Sequence, residues 1–193
     1  MNGISRQWKE SLATILRAPD FSAPLREASL LARLDDWTKA LTGAAVRACH
    51  AMGWEAAAKG FKSKRLPQAR HEYLSLDVMA FPGGDCRWCF PAAVMELENS
   101  QDDDRIAYSL WKVLCVRTGL RIVFSYRKAP ESGPALISFL KDEVISAMTI
   151  DERETLAGET VVVIGSRAEA ETFPYGFFNW WVLDKNLGRF HLM

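Results

Sequence analysis

Two short acidic segments carry the residues best suited to chemistry. The first is Glu72-Tyr73-Leu74-Ser75-Leu76-Asp77-Val78-Met79-Ala80-Phe81, and the second is Ala93-Val94-Met95-Glu96-Leu97-Glu98-Asn99. Each reads as a β-strand, and each places carboxylates where a purely structural strand prefers apolar residues. Charged groups seldom stay buried unless they are paired or bind a metal. Glu96 and Glu98 are two residues apart, so on a strand they project from one face. Asp77 lies on the neighbouring strand of the expected hairpin. Three carboxylates on one face repel unless a cation neutralises them. Mg²⁺ favours a few carboxylate oxygens, water and phosphate oxygens. Bound there, it polarises a phosphate ester and lowers the pKa of an attacking water. The expectation is a site for Mg²⁺ (or Mn²⁺) with Asp77 and Glu96 as ligands. Glu98 is a further ligand or a general base.

Each residue also has a plainer reading. Asp77 can cap a strand edge or pair with Arg87. Glu96 and Glu98 can belong to the solvated face of an amphipathic strand, where apolar and acidic residues alternate. Glu55 and Glu72 are extra carboxylates from upstream elements, or surface residues.

The elements that must position these groups follow from the sequence pattern. Residues 4–18 read as an amphipathic helix, with Ile4, Trp8, Leu12, Ile15 and Leu16 at helical spacing and Pro19 after the end. A second helical region runs from about Pro24 into the fifties, with Gly43 as a dividing point. Lys59 to Pro67 form a basic loop. Pro82-Gly83-Gly84-Asp85 supplies turn chemistry, so 72–81 and 89–98 are expected to form an antiparallel hairpin. Asp102 to Asp104 suit a helix start. That helix is expected to run to about Arg117, and Gly119 ends it. Leu120 to Tyr126 is a buried strand, which makes a βαβ unit with a parallel pair. A helix over 131–149, a strand over 161–165 and an aromatic hairpin over 177–192 complete the chain. The class is α/β with a mixed sheet flanked by helices and a helical N-terminal region. One domain is expected over 1–193, with 1–60 helical, a core at 70–127 and a C-terminal helix and strands at 128–193.

This order of elements, with Asp77 on one strand and Glu96-Leu97-Glu98 on the next, resembles the core of the PD-(D/E)XK nuclease superfamily, the restriction-endonuclease-like fold. The family motif is an Asp on one strand and Glu-x-Lys on the next. Here Glu98 stands in the place of the usual Lys. The resemblance covers roughly residues 70–127 and rests on short motifs. It implies Mg²⁺-dependent hydrolysis of DNA with water as the nucleophile. Some members of the superfamily relocate the Lys to the following helix, which makes Lys112 the candidate here. Helical rise over strand rise places Lys112 and Glu96 at similar depth, about 10 to 14 Å from the turn between them. On the helical wheel Lys112 lies nearer Arg105 and Tyr108 than the apolar stripe, which also suits a solvent-facing residue.

Composition narrows the classes. The chain has 193 residues, 49% hydrophobic and 25% charged, which suits an ordered globular protein with a sizeable core. Lys plus Arg and Asp plus Glu are 24 each, so no global basic excess advertises nucleic acid. The basic stretch Lys59, Lys62, Lys64, Arg65 and Arg70 is a local phosphate-contacting face in a nuclease, or a solvated loop. No apolar run approaches a membrane span, and the first ten residues carry charges where an export signal needs an apolar stretch. A cytoplasmic protein is expected, with DNA as partner, no membrane and a homodimer left open. Cys86-Arg87-Trp88-Cys89 is a CxxC without a second ligand pair, so a Zn module is a minor reading and a loop thiol pair the main one. His50, His71 and His191 are too scattered for a cluster. The tail aromatics Phe177, Phe178, Trp180 and Trp181 suit core packing, a dimer contact or base stacking. The competing class to a nuclease is a catalytically inactive member of the same fold that binds nucleic acid or protein. The departure at Glu98 and the neutral charge favour it.

Overall fold

The computed structural model describes residues 3–193. Its first three elements are helices α1 (Ile4–Arg17), α2 (Pro19–Leu30) and α3 (Leu34–Ala51). Pro19 does more than close α1. It occupies the first turn of α2, where a fixed φ and a missing N–H cost nothing. The long helical region expected from Pro24 onward is therefore two helices. They are parted at Leu31–Arg33, where Ala32 takes φ 54°. Gly43 lies inside α3 and does not divide it.

The strands are β1 (Trp54–Ala58), β2 (Val78–Pro82), β3 (Ala93–Leu97), β4 (Leu120–Arg127), β5 (Glu159–Ser166), β6 (Phe178–Asp184) and β7 (Arg189–Leu192). They form one mixed sheet whose spatial order equals their order in the chain. β1 is an edge strand that the sequence reading placed in helix, because its three alanines favour helix. Its pairing with β2 overrides that preference. The β2–β3 pair is antiparallel as expected, whereas β2 starts only at Val78. Residues 72–77 are loop, because Leu74 and Ser75 both adopt left-handed φ, 55° and 54°.

Helix α4 (Asp103–Leu114) crosses over between β3 and β4, which pair in parallel. It ends at Leu114, three residues before the expected Arg117. β4 and β5 are also parallel, and β5–β6–β7 is antiparallel. The expected 131–149 helix is composite. A 3₁₀ turn at Pro130–Ser132 leads into α5 (Gly133–Leu140), which ends in a π-helical turn at Lys141–Ile145. A short helix α6 (Ile150–Glu154) follows, started by a capping box between Thr149 and Glu152.

Strand alternation divides the core into two layers. One face buries Met95, Ile122, Phe124, Val161 and Val163 against α1, α2 and α3. Trp8 and Trp37 are its largest anchors, and Trp37 packs on Tyr126, Phe173, Phe177 and Phe178. The tail aromatics thus serve core packing: Phe177 and Trp180 are buried there. The other face buries Val94, Val123, Val162 and Ile164 against α4 and α5. Gly158 (φ 75°) lets the backbone before β5 approach Gly119, because a Cβ there would meet Gly119 O at 2.1 Å. Among the described residues no helix is long and apolar enough to cross a membrane.

Candidate active site

The register of β2 and β3 pairs Val78 with Met95 and Met79 with Val94, and Asp77, the residue just before β2, meets Glu96 and Leu97 at the end of β3. Met79 on β2 and Val94 and Glu96 on β3 share one face, and Glu98 follows with the same parity. It is the face covered by α4, since Met79 and Val94 both belong to that layer. The backbone locks the pair: Leu97 N–H donates to Asp77 Oδ2 at 2.7 Å. Asp77 N lies 3.4 Å from Glu96 Oε1. The alternative pairing of Asp77 with Arg87 is not seen among the described residues; the contacts of Asp77 run to β3 instead.

Lys112 reaches this pair from above. Its Nζ lies 2.7 Å from Glu96 Oε2 and donates to Ser75 O at 2.8 Å. The depth estimate from helical and strand rise therefore holds. The wheel places Lys112 beside Tyr108, and its Nζ lies 5.9 Å from that ring, but the side chain turns inward rather than to solvent. Tyr108 in turn stacks on Trp111, and both rings are exposed. A four-carbon stem lets one residue start beside the solvent face and end at a buried carboxylate.

Three anchors hold α4 so that Lys112 arrives there. Asp102 caps the helix by accepting from Asp104 N at 3.0 Å, as the sequence anticipates. Asp103 in the first turn pairs with Arg127 at the end of β4. At the other end, the buried Arg121 donates to Val113 O (3.1 Å), Val116 O (2.8 Å) and Ala157 O (2.6 Å). Its guanidinium adds a donor to the Val113 carbonyl in the last turn of α4 and ties that end to the Val116 and Ala157 carbonyls beyond it. Burial depresses the Arg121 pKa. Below α4, the left-handed pair Leu74 and Ser75 turns the Ser75 carbonyl toward Lys112, and Leu76 is buried as the anchor of that loop.

The electrostatics are those of like charges confined together. Desolvation pushes the Glu96 carboxyl from its ordinary 4.5 up to about 7, against the hydrogen bond from Lys112 and with help from the Asp77 charge. Desolvation also raises the Asp77 pKa, opposed by the Leu97 N–H and Lys112 and aided by Glu72 and Glu98. One lysine does not neutralise two carboxylates in a partly dry site.

Glu98 continues the same face and is half-buried, but its Oε1 accepts from Ser100 N at 2.7 Å. Glu72 is exposed in the loop before β2. Glu55 on β1 is engaged elsewhere, accepting from Ser63 Oγ at 2.6 Å and Lys64 N at 3.0 Å. It also meets Arg65 at 3.5 Å, so the basic loop is partly neutralised from within. Among the described residues no three His, Cys, Asp or Glu side chains converge in a ready-made metal cage. The donor set that fits a hard divalent cation is thus Asp77, through Oδ1, with Glu96, whose Oε1 and Oε2 meet Asp77 N and Lys112 Nζ. Mg²⁺ is commonly held by one or two carboxylates plus water and substrate phosphate. Cys86 and Cys89 are free thiols, and Cys89 Sγ donates to Cys86 O at 3.2 Å.

Two parts of this arrangement were not read from the sequence. Arg121 was signalled by a cation inside an apolar strand run, Leu120-Arg121-Ile122-Val123-Phe124. The Ser75 carbonyl carried no signal, since any residue supplies one. No protein-family model, no curated protein and no solved structure matches the chain.

Proposed function

We propose that this protein is a metal-dependent phosphodiesterase that hydrolyses DNA, built on a restriction-endonuclease-like core. One observation carries the reading: Asp77, just before β2, meets Glu96 and Leu97 at the end of β3, with Lys112 Nζ 2.7 Å from Glu96. The order α3, β1, β2, β3, α4 and a parallel β4 supports the same reading. A bound Mg²⁺ or Mn²⁺ supplies the electrophile that neutralises the phosphate and acidifies water. Asp77 and Glu96 hold that ion, and Glu98 is the candidate further ligand or general base. Lys112 orients Glu96 and offers its charge to the phosphoryl oxygens. A cytoplasmic location is part of the same proposal.

The second reading is a binding module on the same scaffold that performs no chemistry. It is favoured by the self-contained bonding of Lys112 to Glu96 and of Glu98 to Ser100. Incubation of supercoiled and branched DNA with Mg²⁺ or Mn²⁺ separates the two. Cleavage by the wild type and not by Glu96→Ala supports the enzyme. Binding without cleavage under either ion supports the module.

A further inference from the structure

Ser75, whose carbonyl receives Lys112, also lines a cavity of about 670 Å³. It is framed by the loop at 66–75, the end of the β2–β3 connection at 89–91 and the stretch after α4 at 115–117. The volume suits one small ligand and excludes a duplex. Its walls combine three aromatic rings, Tyr73, Phe81 and Phe90, with two guanidinium groups, Arg70 and Arg117. Glu72 is the one carboxylate of the lining, so the lining carries net positive charge.

The aromatic wall is fixed. Tyr73 packs edge-on against Phe81 with centroids 5.7 Å apart. Its hydroxyl donates to Gln68 O at 2.7 Å and accepts from Arg70 N at 3.1 Å. Phe90 is different, being 66% exposed, with Arg117 over its ring at 5.1 Å. A ring left open beside a cation is a platform for a planar, anionic partner. Aromatic faces stack nucleobases, and guanidinium groups hold phosphate oxygens. A base enters such a pocket only when it is out of the duplex stack.

We propose that this cavity binds one unpaired nucleotide, with its base against Phe90 and its phosphate held by Arg70 and Arg117. The inference rests on the phosphodiesterase reading and names its substrate class: single-stranded or locally unpaired DNA. The cavity adjoins the carboxylates through the contacts Ser75–Lys112 and Lys112–Glu96.

Calorimetry with deoxyadenosine monophosphate, without metal, tests the pocket independently of activity. Binding is expected to the wild type and to Asp77→Asn. Phe90→Ala and Arg117→Ala are each expected to lose at least tenfold, on exposed positions that leave folding intact. Inorganic phosphate is expected to bind more weakly than the nucleotide. Absence of nucleotide binding, binding by both pocket variants equal to that of the wild type, or preference for a fatty acid overturns the proposal. Cleavage of single-stranded against duplex DNA with Mn²⁺ is run in parallel. Asp77-dependent cleavage with no nucleotide binding sinks the pocket and leaves the phosphodiesterase standing. Nucleotide binding with no cleavage does the reverse.

Discussion

Replacing Glu96 with glutamine exchanges a strained carboxylate for a neutral group of the same shape, which makes it a sensitive probe of the site. In the folded protein the Glu96 carboxyl titrates near 7 against an ordinary 4.5. The folded state therefore holds an extra proton between those values. A raised acid contributes stability that is fully present below about 4.5 and is lost as pH rises through about 7. At about 1.4 kcal/mol for each tenfold change in the proton equilibrium, the loss is about 3 kcal/mol. Asp77 adds a contribution of the same sign, and Glu55, whose pKa is lowered, adds one of opposite sign. The difference between wild type and Glu96→Gln cancels contributions distant from the site. Urea unfolding from pH 4.5 to pH 8.5 is the assay. Wild type is expected to lose about 3 kcal/mol relative to Glu96→Gln across that range. A pH-independent difference between the two proteins would refute the claim that Glu96 is a desolvated carboxylate beside Asp77.

Two other perturbations follow from the same geometry. Lys112→Met removes the cation that lowers the Glu96 pKa, so the titration of Glu96 moves further up. At pH 8 the variant is expected to be about 2 kcal/mol less stable than wild type, and nearly as stable at pH 5, where Glu96 is protonated. Unfolding at the two pH values checks this, and DNA cleavage by the variant is expected to fall at least a hundredfold. Arg121→Met removes the donor to the Val116 and Ala157 carbonyls and one of the donors to Val113 O, and is expected to cost about 3 kcal/mol. Thermal unfolding measures the loss, and faster amide exchange at the C-terminal end of α4 locates it.

Much of the site was legible because its signals are local. The Asp102 cap, the parallel β3–β4 unit and the nearness of Asp77 to Glu96 across the β2–β3 hairpin all follow from short patterns of charge and turn residues. Axial rise put Lys112 at the depth of Glu96, while the helical wheel pointed it toward solvent, and the contact at 2.7 Å forms. The failures came where tertiary contacts override local preference. Trp54-Glu55-Ala56-Ala57-Ala58 reads as helix, yet it is the edge strand that β2 requires. Residues 72–77 alternate like a strand, yet two left-handed residues turn them into the loop that meets Lys112. Glu98 has the right parity for the site, but a local hydrogen bond to Ser100 draws one of its oxygens away. Such a competition between a backbone N–H and a distant cation leaves no trace in a sequence.

The central claim is that Asp77 and Glu96 share one divalent cation beside Lys112. Titration of Mn²⁺ into wild type, Asp77→Asn and Glu96→Gln at pH 8 by calorimetry tests it most directly. The account predicts one ion per chain for the wild type, with proton release that grows as the pH is lowered toward 7, and binding weakened at least tenfold in each variant. No binding to the wild type, or equal binding to all three proteins, would contradict it.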